Sequence, residues 1–335
     1  MPERDIAAQN SGTPDLSVSV VTYNSAHCLE ALFESLSVQH GVCWELFIVD
    51  NASTDRTAAC LGRRPSANVT VNSANVGYGR AHNQNRPHFR GRHVLFLNPD
   101  VTLPAGLFAA LVAFLDTHPR VGVVGPSVLE GEHRTLFPPR RFYPGERAIP
   151  LEPGLRRDYY AWLSGCCLAL RRPLLEELGG FDPDFFLYQE ETDLCLRARR
   201  AGYAIGWCSE WQVLHAQLQS QIGLPEYDQE RHLLEGTVLF WQKHFSAEDV
   251  PDIVRFQYLR ARAILALHER FPWLTKHRAF PRDRLRARRD SCREWLTRRG
   301  HRVFALNLRF GRIALRQLHI AIEGIRKGVF PLDDY

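Results

Sequence analysis

The sequence predicts a mostly parallel α/β sheet flanked by helices, followed by a basic helical segment at the C-terminus. Three observations carry this expectation. Strand-like and helix-like stretches alternate with short loops from residue 16 to about residue 130. Polar clusters sit at the ends of the strand-like stretches. Charge is unevenly spread: Arg255 to Lys327 holds 20 Lys+Arg and 5 Asp+Glu, leaving 22 basic and 32 acidic residues of the chain's 42 and 37 for the rest. An acidic body with a strongly basic tail implies an anionic partner for the tail.

Taken in order, residues 1–15 are polar and small and read as a flexible leader. LSVSVVTYN (16–24) is β-rich, and SAHCLEALFESLSVQ (25–39) has its apolar residues at helical spacing. WELFIVDNAS (44–53) is a second strand, and TDRTAACLGRR reads as a helix that Thr54 caps. VTVNSANVGYGRAHNQN (69–85) gives a third short strand, a glycine-bearing loop and a helix. VLFLNPDV (94–101) is the fourth strand, LPAGLFAALVAFLDTHP a helix, and VGVVGPSVL (121–129) the fifth strand. Residues 130–160 are rich in proline and arginine and read as a surface excursion. WLSGCCLALRRPLLEEL resumes the strand–helix pattern, AIGWCSEWQVLHAQ is β-like, and helices follow from about Gln229. The pattern divides into a leader (1–15), a main domain (16–245) and a basic helical region (246–335).

Length and composition allow one large core or two smaller ones: 335 residues, 45% hydrophobic. The eight cysteines include no C-x-x-C pair, so they read as free thiols of a reducing, cytoplasmic compartment. MPERDIAAQNSGTPD has no apolar core for a signal peptide, and no apolar run approaches the ~20 residues of a membrane span. The expectation is a soluble or peripherally attached protein.

The chemistry concentrates at strand ends. Proline after Asn98 interrupts the ladder and presents Asp100 at the carboxyl end of a buried strand, where open α/β sheets place ligands. Alone, N-P-D is also an ordinary turn. Thr22-Tyr23-Asn24, Asp50-Asn51-Ala52-Ser53 and the loop Asn75 to Asn83 end neighbouring segments, so all converge on one crevice suited to a nucleotide. The loop is G-x-G without the third glycine of a dinucleotide fingerprint and is not a P-loop, which argues against NAD and ATP-hydrolase functions. Glu190, Glu191 and Asp193 begin a helix, where they suit the dipole and an Asp193–Arg197 pair as well as catalysis. His215, at the end of a β-like segment, is structural or a ligand.

In this order, VSVVTYNS, FIVDNASTD, NVGYGRAHNQN, VLFLNPDV, WLSGCCLALRR, GGFDPDFFLYQEETDLCLRARRAGY and VLH resemble family 2 glycosyltransferases of the GT-A fold, in the bacterial rhamnosyltransferase-like branch. The resemblance spans about residues 16–245. It implies an inverting transfer of a sugar from a nucleotide diphosphate donor, best read as L-rhamnose from dTDP-rhamnose, with Mg²⁺ or Mn²⁺. It implies an acceptor hydroxyl on a glycan or lipid-linked glycan of the bacterial cell surface. By motif position, Thr22, Asn24, Asp50 and Asn51 lie around base and ribose, and Asn75, Arg80 and Asn83 support the nucleotide from the side. Asn98-Pro99-Asp100 takes the place of D-x-D: Asp100 binds the metal, and Asn98 suits hydrogen bonds to ribose or diphosphate. His215 falls near metal and diphosphate, although AQLQS follows it where the family often has glycine and serine. Glu191 matches the catalytic base, with Glu190, Trp162 and Gly165 at the acceptor site; Trp162 fits core packing equally well.

The basic segment 297–330 has the composition of an amphipathic helix on an anionic membrane, at the inner face of the cytoplasmic membrane, or of a bundle packed on the catalytic domain. No zinc-finger, RRM or KH signature accompanies the charge, so nucleic acid is not expected. Three other readings compete: a sugar nucleotidyltransferase, a catalytically inactive nucleotide-sugar or glycan-binding module, and a family 2 enzyme using a UDP-hexose. TYNSAHCLE lacks the glycine-rich, basic N-terminal loop of the first, and acidic residues at 100 and 191 argue against the second.

Overall fold

The computed structural model describes residues 13–63, 67–131, 133–146, 151, 160–216, 226–270 and 282–301. Most of the leader and, beyond residue 301, the basic tail lie outside the described residues, as does the AQLQS segment after its alanine. The described chain falls into two compact units, one from 1–141 and 155–222, the other from 142–154 and 223–335.

The first unit is a single mixed sheet with helices. Its strands are β1 (Leu16–Thr22), β2 (Trp44–Asp50), β3 (Asn68–Val71), β4 (His93–Leu97), β5 (Val101–Thr102), β6 (Val121–Glu130), β7 (Thr135–Phe137), β8 (Cys167–Arg171) and β9 (Ala204–His215). They lie in the order β3-β2-β1-β4-β8-β6-β9-β5, with β7 a hairpin partner of β6. The β3, β2, β1 and β4 neighbours are parallel, and β6 with β9 is parallel. β8 runs antiparallel between β4 and β6, so both of those still point the same way. β1 and β4 are buried along their whole length, as strands covered on both faces must be. Helices α1 (Leu29–Ser37) and α4 (Leu107–Thr117) supply Leu32, Phe33, Leu36, Phe108, Leu111 and Leu115 to the core beside Val18, Val20, Leu95 and Leu97.

Helix α2 (Thr57–Leu61) begins three residues later than the sequence pattern suggests, and Thr54 does not cap it. Thr54 N–H instead donates to Asn24 Oδ1 at 2.8 Å, and Asp55 Oδ1 accepts from Thr57 N–H at 2.9 Å. The remaining helices of this unit are α3 (Tyr78–Asn85), α5 (Arg172–Leu178) and α6 (Glu190–Arg200). Within the expected surface excursion β7 pairs with β6, and Arg140 exchanges backbone hydrogen bonds with Trp162.

The second unit contains α7 (Glu226–His244), α8 (Val250–Arg270) and α9 (Arg282–Arg298). Trp241 is fully buried and its indole N–H donates to Pro144 O at 3.1 Å. Glu230 and Arg288 form a buried ion pair between α7 and α9. All eight cysteines are free thiols. No helix among the described residues is long and apolar enough to cross a membrane.

Candidate active site

Strand direction and register decide what meets at the carboxyl edge of the sheet. Thr22 pairs with Asp50 at the ends of β1 and β2. Leu97 pairs with Cys167, which brings Asn98 beside Cys166, and Asn98 N–H donates to Cys166 O at 2.8 Å. After Pro99 the chain rejoins the sheet as β5, antiparallel to β9, so Val101 faces His215. The parallel β6 places Glu130 opposite His215 as well. The proline ends β4 as expected, yet the return through β5 is what sets Asp100 next to His215.

On the β1–β2 side the groups form a hydrogen-bonded lattice. Thr22 Oγ1 donates to Asp50 Oδ1 at 3.0 Å, and Ser53 Oγ donates to the same oxygen. Asn51 Nδ2 donates to Asn75 Oδ1 at 2.7 Å, while Asn51 Oδ1 accepts from Asn72 Nδ2 and from Val76 N–H, each at 3.0 Å. Asn24 holds a left-handed backbone, φ 52°, and its N–H donates to Ser53 Oγ at 2.8 Å. These bonds fix the edge through β2, β3 and the loop before α3, beside a small apolar cluster of Val21, Val49 and Ala81 against which Val76 packs.

On the β4–β9 side the polar groups are under-satisfied. Asp100 is buried and neither of its carboxylate oxygens has a hydrogen-bond partner; Asn98 Oδ1 is likewise buried and unpaired. His215 Nε2 lies 3.3 Å from Asp100 Oδ1 and 3.4 Å from Asn98 Nδ2, with its Nδ1 3.9 Å from Glu130 Oε1. Burial opposes a charge on His215, but the carboxylates of Asp100 and Glu130 beside it outweigh burial and raise its pKa. Buried lone pairs without donors are costly unless a cation or ligand takes them. Among the described residues no group of three or more His, Cys, Asp or Glu gathers into a ready-made metal site. The Asp100 carboxylate and the Asn98 amide oxygen nevertheless fit a hard divalent cation that keeps part of its shell for water and phosphate oxygens, and His215 can join them only by giving up the proton that its raised pKa retains at neutral pH.

Glu190 and Glu191 open α6 behind two successive left-handed residues, Tyr188 (φ 68°) and Gln189 (φ 72°). Glu191 is half-buried, and burial raises its pKa to about 7 against the pull of backbone N–H groups at 189, 191 and 192. Glu190 is buried with Oε2 unpaired; burial, then the charges of Glu191 and Asp193, hold its pKa well above the usual range. Asp193 makes the i,i+4 pair with Arg197 at 2.7 Å. Gly165 lies against the Glu191 side chain, leaving no room for a Cβ without displacement.

Three expected residues sit in protein contacts. Trp162 is only 8% exposed, beside the Phe137 ring and the Arg140 guanidinium, so most of its surface is covered. Arg80 Nε donates to Pro183 O, and the Asn83 amide bonds both the N–H and C=O of Phe181. Sequence reasoning missed Tyr78, whose hydroxyl donates to Gly165 O at 3.2 Å and whose pKa is raised by burial and then by Glu190, Cys166, Glu191 and Asp100. Its place inside the quoted loop NVGYGRAHN was the available signal. Glu130 was missed too, because only the β6–β9 register brings it to His215.

A mixed α/β sheet thus carries amides, a carboxylate and an imidazole on one edge with a raised acidic pair beside them, an arrangement suited to a nucleotide-activated substrate. The family model described as glycosyl transferase family 2 matches residues 17–179. N-acetylglucosaminyl-diphospho-decaprenol L-rhamnosyltransferase of Mycobacterium tuberculosis is 31% identical over 244 residues, covering 62% of this chain and 78% of that protein. The chain belongs to glycosyl transferase family 2 and is a nucleotide-sugar-dependent glycosyltransferase. Its fold is that of mannosyltransferase PcManGT from Pyrobaculum calidifontis, solved with GDP-Man and Mn²⁺ (TM-score 0.51, 20% identity, 97% of this chain and 86% of that one). It is also similar to residues 1–349 of S. aureus TarS in complex with UDP (TM-score 0.50, 20% identity, 88% and 94%).

Proposed function

We propose that this enzyme transfers L-rhamnose from dTDP-L-rhamnose to a hydroxyl of a lipid-linked glycan, with inversion at the anomeric carbon. The observation that carries the mechanism is Glu191, half-buried against Gly165, with a pKa raised to about 7 by burial. Such a carboxylate is basic enough to take the acceptor proton and still ionised near neutral pH. One base facing the leaving group gives a single displacement and hence inversion. Burial and the neighbouring Glu191 and Asp193 charges raise the pKa of Glu190 beside it, which favours the protonated form, the form that would donate a hydrogen bond to the acceptor. Gly165 keeps the approach to Glu191 open, and Trp162 backs that segment from the core.

Asp50 and Asn51, oriented by Thr22, Ser53, Asn72 and Asn75, would read the base and ribose, with Asn24 at the rim. Asn98 would accept from a ribose hydroxyl through its unpaired Oδ1, or donate to the diphosphate through Nδ2. Asp100 and His215 would hold a divalent cation, Mg²⁺ or Mn²⁺, which when bound neutralises charge developing on the diphosphate leaving group. The similarity to the mycobacterial rhamnosyltransferase, named for a decaprenol-linked acceptor, supports the sugar and the acceptor class. A lipid-linked acceptor in turn supports a peripheral contact of the basic C-terminal region with the inner face of the cytoplasmic membrane. Exposed Arg282, Arg284, Arg286 and Arg293 on α9 agree with that contact.

The test is calorimetry with dTDP-rhamnose, UDP-glucose, UDP-galactose, UDP-GlcNAc and GDP-mannose, each with Mg²⁺, Mn²⁺ or chelator. Metal-dependent binding of dTDP-rhamnose alone is expected. Selective binding of a UDP-hexose would replace the donor, and no binding to any donor would overturn the reading.

A further inference from the structure

With Glu191 as the proposed base, the turn that leads into it has to be held in place. The turn before it places two non-glycine residues, Tyr188 and Gln189, in the left-handed region. Such residues stay there only when their surroundings hold them. One helix supplies a row of holding contacts. Tyr78 N–H donates to Phe186 O at 2.9 Å, and Tyr78 Oη donates to Gly165 O at 3.2 Å. Arg80 Nε donates to Pro183 O. Asn83 Nδ2 donates to Phe181 O at 2.7 Å, and Asn83 Oδ1 accepts from Phe181 N–H at 2.9 Å. Gly180, at φ 88°, lets the chain pass so close to Asn83 that any Cβ there would collide with Oδ1. Every partner in the 181–186 segment is a backbone group, so the contacts fix the path of the chain and not a side chain. The N-terminal end of the same helix continues into Asn75–Gly77, where Asn75 Oδ1 accepts from both Asn51 Nδ2 and Gly77 N–H.

We propose that α3 is the positioning element of the catalytic base: Asn83, Arg80 and Tyr78 hold segment 181–191 in the turn that aims Glu191, from the helix that also carries the donor-side loop. Arg80 and Asn83 therefore act on the base and not on the donor, although the family motif places them beside the nucleotide. Asn83 is the strongest of the three, because its amide satisfies both backbone groups of one residue. It is a positioning residue: it touches neither reacting group.

The test compares wild type with Asn83→Ala and with Arg80→Gln, an exposed change that does not endanger folding. Affinity for dTDP and UDP is measured by calorimetry, kcat and donor KM with whichever sugar donor the calorimetry selects, and hydrogen exchange across 181–191. In both variants nucleotide affinity and donor KM stay within about twofold, since no donor contact is lost. In Asn83→Ala kcat falls by about tenfold to a hundredfold, the scale of a catalytic group misplaced by an ångström, and amides 181–191 exchange faster. A weakened nucleotide affinity with unchanged exchange would overturn the proposal in favour of a donor contact. Faster exchange with unchanged kcat would overturn it as well. Should neither nucleotide bind the wild type, the donor reading falls, while the exchange arm still decides the clamp.

Discussion

Gly165 and Glu191 are in contact without a side chain between them: a Cβ added at Gly165 would stand 3.1 Å from Glu191 Cβ and 3.2 Å from its Cγ. Both distances are tighter than ordinary packing, so Gly165→Ala moves the Glu191 side chain by a few tenths of an ångström. The backbone at 165 can accept alanine, because its φ lies outside the left-handed region. The expected outcome is a properly folded variant with kcat lowered by about tenfold and donor KM unchanged. Unaltered kcat would show that the contact does not orient the carboxyl.

The Glu191 pKa of about 7 gives a direction for the rate. A base must be ionised, so kcat rises with pH through the region near 7 and levels above it. Because Glu190 titrates beside it, the observed limb belongs to the pair. Glu191→Gln, which cannot take a proton, is expected to lower kcat by about a hundredfold to ten-thousandfold. A limb that persists unchanged in that variant's residual activity would assign it to another group.

Much of this site is legible in the sequence because it sits where local pattern ends. Buried strands announce themselves as VSVV, FIV and VLFL, and the polar residues that close them must share an edge if the strands are parallel. That logic finds Thr22, Asp50, Asn51, Asn98 and Asp100 on one edge. It fails where pairing is long-range. Nothing local states that β6 pairs with β9, so Glu130 goes unnoticed, and nothing in the loop sequence states that the Tyr78 hydroxyl reaches Gly165, 87 positions away. The Asn83 amide illustrates a second limit: a polar residue near a nucleotide loop has the same letter whether it faces a ligand or the backbone of Phe181, 98 positions away.

Asp100 offers a test of the cation. Its two oxygens are buried and without hydrogen-bond partners, while the nearest cationic group is His215 at 3.3 Å. If a divalent cation takes those lone pairs, chelator weakens donor binding to wild type, and Asp100→Ala shows the weakened binding from the start with no further effect of chelator. A loss of about tenfold or more is expected for removing a metal ligand. Equal sensitivity to chelator in wild type and variant would place the cation elsewhere.

Glu190 yields a prediction about stability. Its side chain is buried, Oε2 has no hydrogen-bond partner, and burial with the charges of Glu191 and Asp193 raises its pKa well above 4.5. At pH below 4.5 the carboxyl is protonated in both the folded and the unfolded chain, so it contributes no pH-dependent difference. As pH rises past that value the unfolded chain loses the proton while the folded protein retains it. The unfolded state is then favoured progressively until the folded pKa is reached, so this group's contribution to stability is lost as pH increases. Glutamine keeps the shape and cannot ionise. Glu190→Gln should therefore unfold at nearly the wild-type temperature at about pH 4 and above it at about pH 8. The expected reading at the higher pH is a Tm above the wild-type value, by an amount that grows as the pH is raised from about 4 to about 8. Scanning calorimetry at the two pH values decides it, and an offset that is equal at both, or reversed at the higher one, would show that Glu190 is not buried as a neutral acid.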